Sequence, residues 1–257
     1  MFKDPVPPSH TRTFQEYMRY YVLYNTLAIL LCPLLPIIMI FQHDIFWNLI
    51  SKVFFGNRLT LSKCKDSGIV NKMWGQPSAQ VYLLANALEY QPREGFCSTT
   101  TLRCVLRTIP GIHPEKIPAL CSGPATAVSY SNSIDASYPG HLRSTVIRGN
   151  EGYDLFLQTL RKANDPKKYR LSVNFLRPAL FGPPSPTYLP SSCLLGLVGG
   201  HHSPVIAYSD VTDTVLVFDV NHNYGSLVIS SRELFEAVDT FDPLAGEHRG
   251  LVLTEIL

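Results

Sequence analysis

An uncharged stretch near the amino terminus, residues 20–42, constrains the fold of this chain more than any other feature. It contains the apolar run VLYNTLAILLCPLLPIIMIF, and no Asp, Glu, Lys or Arg interrupts it. A helix of about 20 residues crosses the roughly 30 Å hydrocarbon core of a bilayer. The aromatic residues at its two ends, typical of a membrane-interface belt, are Tyr20, Tyr21, Tyr24, Phe41, Phe46 and Trp47. The pattern predicts a transmembrane helix over about residues 20–42.

Three other interpretations fit this stretch less well. A cleaved signal peptide has a shorter apolar region and a small-residue cleavage site, and a transit peptide is rich in Arg and Ser. A buried core helix of this length would be unusual without a charge. Basic residues flank both ends, so the charge rule gives no orientation. The expected product is a single-pass, membrane-anchored protein, in the mitochondrial inner membrane or an endomembrane.

The chain is therefore predicted to have two parts. Residues 1–56 form an amino-terminal membrane-anchor segment, within which residues 44–55 lie along the interface as an amphipathic helix. Residues 57–257 form the functional domain, and residues 56–75 are a polar linker leading into it. With 257 residues, 46% of them apolar, the chain is long enough to bury one large core.

Charge and cysteine spacing exclude two classes of function. A net charge of +2 is too small for a nucleic-acid-binding protein, and no basic run alternates with aromatic residues. The six cysteines are scattered without a CxxC pair, which argues against a structural zinc site. We expect them to be mostly reduced and buried.

The segment QPREGFCSTT contains the first candidate for chemistry, Cys97. The apolar spacing after it predicts a helix that begins at the cysteine, with a buried stripe of Leu102, Val105, Leu106 and Ile109. A helix amino terminus stabilises a thiolate relative to a thiol. Gln91, six residues earlier, could donate a hydrogen bond to an oxyanion. On spacing alone, a cysteine that simply packs remains the stronger interpretation.

The carboxy-terminal half reads as helices and half-buried strands. Strands are predicted at residues 170–176, 205–208, 214–220 and 250–253, and helices at residues 80–89, 151–163 (capped by Asn150) and 232–238. Residues 110–149 show weak periodicity and predict only a loop at 122–137, and five prolines mark residues 177–193 as a loop or flap. A helical half followed by antiparallel strands predicts an α+β fold.

Two polar residues lie at neighbouring strand ends. His201 begins one strand after Gly-Gly, and Asp219 ends the next strand of the hairpin. An Asp that accepts the ring N–H of a His fixes its tautomer, and the other ring nitrogen can take a proton from a thiol. Taken singly, these residues are more often a loop histidine and a turn former. The order Cys…His…Asp is that of the papain-like constellation.

Four segments occur in order: QPREGFC, GGHHSP with VIAY, VLVFDV with NHNYG, and AGEHRGLVL. Together with RLSVNFLRPAL they resemble the phytochelatin synthase family over about residues 78–257. The resemblance implies a papain-like cysteine peptidase fold and transfer of the γ-glutamylcysteinyl group of glutathione to water or to another glutathione. It implies Cys97 as the nucleophile, His201 as the general base and acid, Asp219 as the residue that orients His201, and Gln91 as the oxyanion donor.

The resemblance also implies a substrate site. Asp242 and Arg249 match residues that hold the ammonium and carboxylate of the γ-glutamyl group, whereas without the resemblance a surface ion pair is the preferred interpretation. His222 stands where the family has a substrate-binding Arg. No tightly bound cofactor and no protein-held metal are expected. Cadmium or zinc would enter as a glutathione thiolate complex.

Departures from the family motivate two further hypotheses. The apolar stretch, the His222 substitution and the added proline-rich loop suggest a weakly active or inactive accessory subunit of a membrane complex, docked through its amino-terminal helix. A zinc site made of His201, His202, His222 and Asp219 is disfavoured, because adjacent strand residues point to opposite faces.

Overall fold

The computed structural model describes residues 4–8, 14–31, 42–56, 58–182 and 199–257. The α-helices within these ranges are α1 (Phe14–Tyr17), α2 (Tyr24–Leu31), α3 (His43–Ile50), α4 (Leu61–Cys64), α5 (Ser67–Trp74), α6 (Pro77–Leu84), α7 (Cys97–Leu106), α8 (Ala127–Ser137), α9 (Tyr153–Lys162), α10 (Arg177–Phe181) and α11 (Ser231–Val238). Two π-helical segments span Met18–Leu23 and Ser51–Phe55, and two 3-10 turns span Pro114–Lys116 and Gly149–Glu151.

In the same ranges the strands form one six-stranded antiparallel sheet and one two-stranded ribbon. The strands are β1 (Leu142–Arg148), β2 (Tyr169–Phe175), β3 (His201–Ser209), β4 (Thr214–Asp219), β5 (Gly225–Ser230), β6 (Phe241–Asp242), β7 (Glu247–His248) and β8 (Gly250–Ile256). Their order in the large sheet is β1-β8-β2-β3-β4-β5, and β6 pairs with β7. The predicted α+β class is confirmed.

Both faces of the central strands are buried, and alternate residues of one strand join different cores. In β4, Val215 and Val217 pack with α9 and α11, whereas Leu216 and Phe218 pack with α5 and α6. Strands covered on both sides read as continuous apolar runs, as TVLVF does here. The sheet is therefore a rigid central layer, and α7 lies against its strand β3, where the Thr101 hydroxyl donates to the His202 carbonyl at 2.9 Å.

Several predictions about local structure were wrong. The predicted loop at residues 122–137 contains α8, which begins with a capping box between Thr126 and Ser129 and buries Tyr130 and Ile134. The helix was not predicted because its sequence is rich in serine and has only a few apolar residues at helical spacing. Asn150 is not a helix cap, because α9 begins after Gly152, whose φ of 102° favours glycine.

The predicted linker at residues 56–75 is also wrong. It contains α4 and α5, whose Cys64, Met73 and Trp74 are buried in the domain core. These few buried side chains, spaced among polar and charged residues, hold both short helices against the domain.

Among the described residues no helix combines the length and apolar character that a membrane crossing requires. Residues 32–41 of the predicted span lie outside the described residues, as do residues 183–193 of the predicted flap. The segment predicted to lie on a membrane interface packs on the domain through Leu49 and Val53, which contact Leu176. Lys52 in the same segment forms an ion pair with Asp239 at 3.2 Å.

Candidate active site

Cys97 is the first residue of helix α7, as the apolar spacing predicted. The chain reaches it through Gly95, whose φ of 88° favours glycine, and the Gly95 carbonyl accepts the Gly123 N–H at 3.0 Å. Leu102, Val105 and Leu106 fix the helix against the core. The half-buried thiol thus lies at the amino end of a ten-residue helix, where the dipole favours a thiolate.

His201 and Asp219 meet because antiparallel pairing brings the start of β3 beside the end of β4. The pairing runs from Ser209 opposite Thr214 to Val205 opposite Val217, with an irregularity between Val205 and Ala207. His201 Nε2 lies 2.8 Å from Asp219 Oδ1. Both side chains are buried, His201 at 6% exposure and Asp219 at 0%.

The Cys97 thiol and the His201 ring form a hydrogen bond. Because His201 Nε2 is bonded to Asp219, the nitrogen that faces the sulfur is Nδ1. Burial raises the pKa of Cys97, but hydrogen bonds with the His201 ring and the His202 backbone N–H, together with the charges of His201 and Arg177, bring it below its usual value. A cysteine with this surrounding can act as a nucleophile near neutral pH.

The pKa values of its two partners move in the complementary directions. Burial and the Arg177 charge lower the pKa of His201, but Asp219 and the bond to Cys97 raise it above its ordinary value. Burial raises the pKa of Asp219, but Arg177, His201 and the Asn221 N–H outweigh it, so this pKa is lowered. The arrangement favours a thiolate–imidazolium pair backed by a carboxylate.

Gln91 is fixed beside this group by the backbone. Its N–H donates to the Val220 carbonyl at 2.7 Å, just beyond Asp219, and the preceding Tyr90 stacks on Phe218 at 5.1 Å. The side chain is 4% exposed, and its oxygen has no hydrogen-bond partner among the described residues.

Asp242 and Arg249 are not a surface pair, because they are 3% and 0% exposed. Arg249 Nη1 donates to the Thr240 hydroxyl at 3.2 Å and to the Phe241 carbonyl. Burial lowers the pKa of Arg249 to about 10, and the Asp242 charge opposes that shift. A Cβ on Gly200 would lie 3.1 Å from Arg249 Nε, so the guanidinium lies beside the residue that precedes His201.

The other two histidines of the disfavoured zinc site, His202 and His222, lie outside the Cys97–His201–Asp219 contacts. His222 is exposed, with its ring centroid 6.3 Å from that of Tyr90. His202 is buried, with Nε2 3.0 Å from the Ala125 carbonyl and 3.1 Å from Asn174 Nδ2. No group of three or more metal-ligating side chains is found among the described residues, where the hypothetical zinc ligands all lie.

Arg177 is a site residue that the sequence reasoning missed. Its Nε and Nη2 donate to Asp219 Oδ2 and Oδ1 at 3.0 and 2.9 Å. The sequence holds one signal for it, a single basic residue two positions after the end of the buried strand β2 in an otherwise apolar segment. Without the fold, nothing connects that position to Asp219, 42 residues further along the chain.

One comparison with known proteins gave a match. A family model of phytochelatin synthase matches residues 187–251. A search of curated proteins gave no match. The matched segment includes His201, Asp219, Asp242 and Arg249, whereas Cys97, Gln91 and Arg177 lie before it and reach the site through the fold. The match confirms, over residues 187–251, the resemblance to the phytochelatin synthase family that the motifs indicate.

Proposed function

We propose that this protein is a papain-like acyl-transfer enzyme in which the Cys97 thiolate attacks the Cys–Gly amide of glutathione. The observation that carries the proposal is the continuous chain of contacts from the Cys97 thiol through the His201 ring to the Asp219 carboxylate. The family match to phytochelatin synthase supports glutathione as the substrate.

The residues divide the reaction between them. Attack of the Cys97 sulfur on the carbonyl carbon gives a tetrahedral oxyanion, and we assign its stabilisation to the Cys97 backbone N–H and the Gln91 amide. The His201 imidazolium donates its proton to the departing glycine nitrogen, which leaves a γ-glutamylcysteinyl thioester on Cys97. His201, now neutral, takes a proton from water or from the amine of a second glutathione as that nucleophile displaces the thiolate.

The γ-glutamyl end of the substrate carries an ammonium and a carboxylate, which are complementary to Asp242 and Arg249. Both residues are buried, the Asp242 charge acts on Arg249, and Arg249 lies beside Gly200, the residue that precedes His201. This position supports a γ-glutamyl site next to the His201 ring. Cadmium or zinc takes part as a thiolate complex of the substrate, and no protein-held metal is required.

The test is to incubate the protein with glutathione, with and without cadmium, and to identify the products by mass spectrometry. We expect glycine release by the wild type and none by Cys97→Ala. Cys121→Ala is the matched control, since Cys121 is an exposed free cysteine and its change should leave release intact. Undiminished glycine release by Cys97→Ala would refute the mechanism.

A second candidate is an inactive or weakly active accessory subunit of a membrane complex. It is favoured by the exposed position of His222 and by exposed aromatic residues on the amino-terminal helices, Trp47 at 44% and Phe55 at 79%. We propose that residues 20–42 anchor the protein in a membrane and that these aromatic residues lie at its interface.

The two candidates differ in the reactivity of Cys97. An enzyme should be alkylated at Cys97 at neutral pH much faster than a model thiol, whereas an inactive subunit should react sluggishly and co-purify with a large complex. Extraction of the full chain from membranes by alkaline carbonate, compared with detergent, tests the anchor separately. Release by carbonate alone would contradict it.

A further inference from the structure

The Asp219 carboxylate is shared between two cations. Oδ1 lies 2.8 Å from His201 Nε2 and accepts hydrogen bonds from Arg177 Nη2 at 2.9 Å and from the Asn221 N–H at 2.8 Å. Oδ2 accepts from Arg177 Nε at 3.0 Å. The Arg177–Asp219 contact is therefore bidentate, the geometry in which a guanidinium fixes the plane of a carboxylate.

Arg177 is itself held in place from two sides. It is the first residue of α10, which is separated from β2 by Leu176 alone, and its guanidinium carbon lies 4.3 Å from the centroid of the Tyr224 ring. The Tyr224 ring in turn contacts Phe181 at 5.3 Å. The Arg177 side chain is 18% exposed, so its charge acts in a partly dehydrated environment where screening is weak.

The electrostatic effect of Arg177 extends beyond Asp219. Its charge lowers the pKa of Cys97 and also that of His201. The ionisable groups that act on the Cys97–His201 pair or on its carboxylate come from several elements: Arg177 on α10, Asp219 on β4, His202 on β3, and Tyr90 before Gln91. In this set Arg177 is the permanent cation, because an arginine stays protonated throughout the working pH range.

We propose that Arg177 is a positioning residue that locks Asp219 in its bond to His201 and sets the pH range in which Cys97 and His201 exist as a thiolate–imidazolium pair. The inference rests on the thiol chemistry proposed above, but it does not depend on glutathione being the substrate. Arg177 has two separate roles in this proposal. The planar, two-pronged guanidinium fixes the orientation of the Asp219 carboxylate, and its charge sets the proton affinities of Cys97 and His201.

Removing the charge has a defined sign. Without Arg177, the Asp219 charge acts on His201 alone, so His201 binds its proton more tightly. The Cys97 thiolate loses a nearby cation and also binds a proton more tightly. The acid limb of the pH–activity profile follows Cys97 and the alkaline limb follows His201, so both limbs should move towards higher pH together. A loss of fold or of substrate affinity lowers activity without moving either limb.

The test measures the rate at which iodoacetamide alkylates Cys97 as a function of pH, with the Cys97 peptide resolved by mass spectrometry. For Arg177→Gln we expect the midpoint of thiolate formation to rise by about one pH unit, which is about tenfold less reaction on the acid limb. Arg177→Lys keeps the charge but not the fork, so we expect a midpoint near that of the wild type and a lower kcat for glycine release.

Arg161→Gln is the matched control, because Arg161 forms an exposed pair with Asp210 in which both side chains are 49% exposed. Its midpoint should equal that of the wild type. An unshifted midpoint in folded Arg177→Gln would overturn the proposal and leave Arg177 as a structural ion pair. Because the assay needs no glutathione, a shift together with absent glycine release would reject the proposed substrate and retain the role of Arg177.

If Arg177→Gln does not fold, the same alkylation midpoint is measured on Tyr224→Leu instead. It leaves the guanidinium in the chain and removes the ring that holds it. We expect a smaller rise of the same midpoint, and an unchanged midpoint in the folded variant would contradict the proposal.

Discussion

His201 and His202 are consecutive in strand β3, and their side chains enter two different polar regions of the molecule. His201 contacts the Asp219 carboxylate and the Cys97 thiol, and its pKa is raised. His202 is 1% exposed and meets neutral groups, the Ala125 carbonyl, the Asn174 amide and the Tyr130 ring at 4.9 Å. Burial lowers the pKa of His202 to about 4.

The comparison shows that burial alone does not set the charge of a histidine. Desolvation opposes protonation in both residues, and the difference lies in what surrounds each ring. A carboxylate and an acidic thiol offset the cost at His201, whereas a carbonyl and an amide do not offset it at His202. The first region is suited to proton transfer, and the second joins the loop at residues 121–126 to the sheet.

The largest effect should come from removing each ring in turn. We expect His201→Ala to reduce glycine release by about a thousandfold or more, because the thiolate and the leaving group both lose their proton partner. His202→Phe should stay within about tenfold of the wild type, since an aromatic ring can still pack on Tyr130. Steady-state kinetics on both folded variants measure this. Equal losses would mean that the two regions are not functionally distinct.

Changing the carboxylate should have the next largest effect. Asp219→Asn keeps the size of the side chain but cannot stabilise the His201 imidazolium, so we expect kcat to fall by about a hundredfold or more with residual activity. The variant should also lose the bidentate contact with Arg177. A kcat near that of the wild type would show that His201 does not need this partner.

The sequence predicted the parts of this site that depend on local pattern. Cys97 at a helix start, and His201 and Asp219 at neighbouring strand ends, follow from apolar spacing and from one short turn between β3 and β4. The α+β class followed from the same patterns. Each of these features depends on residues that are close together in the sequence.

The sequence did not predict the contacts made across the fold. Arg177 reaches Asp219 only because β2 pairs with β3 and β3 with β4, and no periodicity records that order. The environment of His202 likewise depends on α8, which the serine-rich pattern concealed. The linker prediction failed because the contacts of Met73 and Trp74 are with distant strands.

The two histidines should also differ in how pH affects stability. Because the pKa of His202 is about 4 in the folded protein and about 6.5 in the unfolded chain, the unfolded state binds more protons between these values. Stability should therefore fall as pH decreases from about 6.5 to about 4, by about 2 kcal/mol at pH 5 from this group. The raised pKa of His201 acts oppositely, with its contribution lost as pH rises through that pKa.

Denaturant unfolding of the wild type and His202→Phe at about pH 7 and pH 5 separates this contribution from those of other groups. The difference in unfolding free energy between the two proteins should change by about 2 kcal/mol, in favour of the variant at the lower pH. If both proteins lose equal stability on acidification, His202 is not the buried neutral group described here.

The smallest expected effect concerns the hydrogen bond that joins helix α7 to the backbone of strand β3. The Thr101 hydroxyl, one turn beyond Cys97 in α7, donates to the His202 carbonyl at 2.9 Å and is fully buried. Thr101→Val removes this bond with little change of shape, and we expect a loss of about 1 kcal/mol of unfolding free energy. Since helix packing also holds α7 through Val105 and Leu106, the Cys97 alkylation midpoint should not move. A midpoint that shifts in Thr101→Val but not in His202→Phe would show that strand β3 positions the thiol through its backbone rather than through the second histidine.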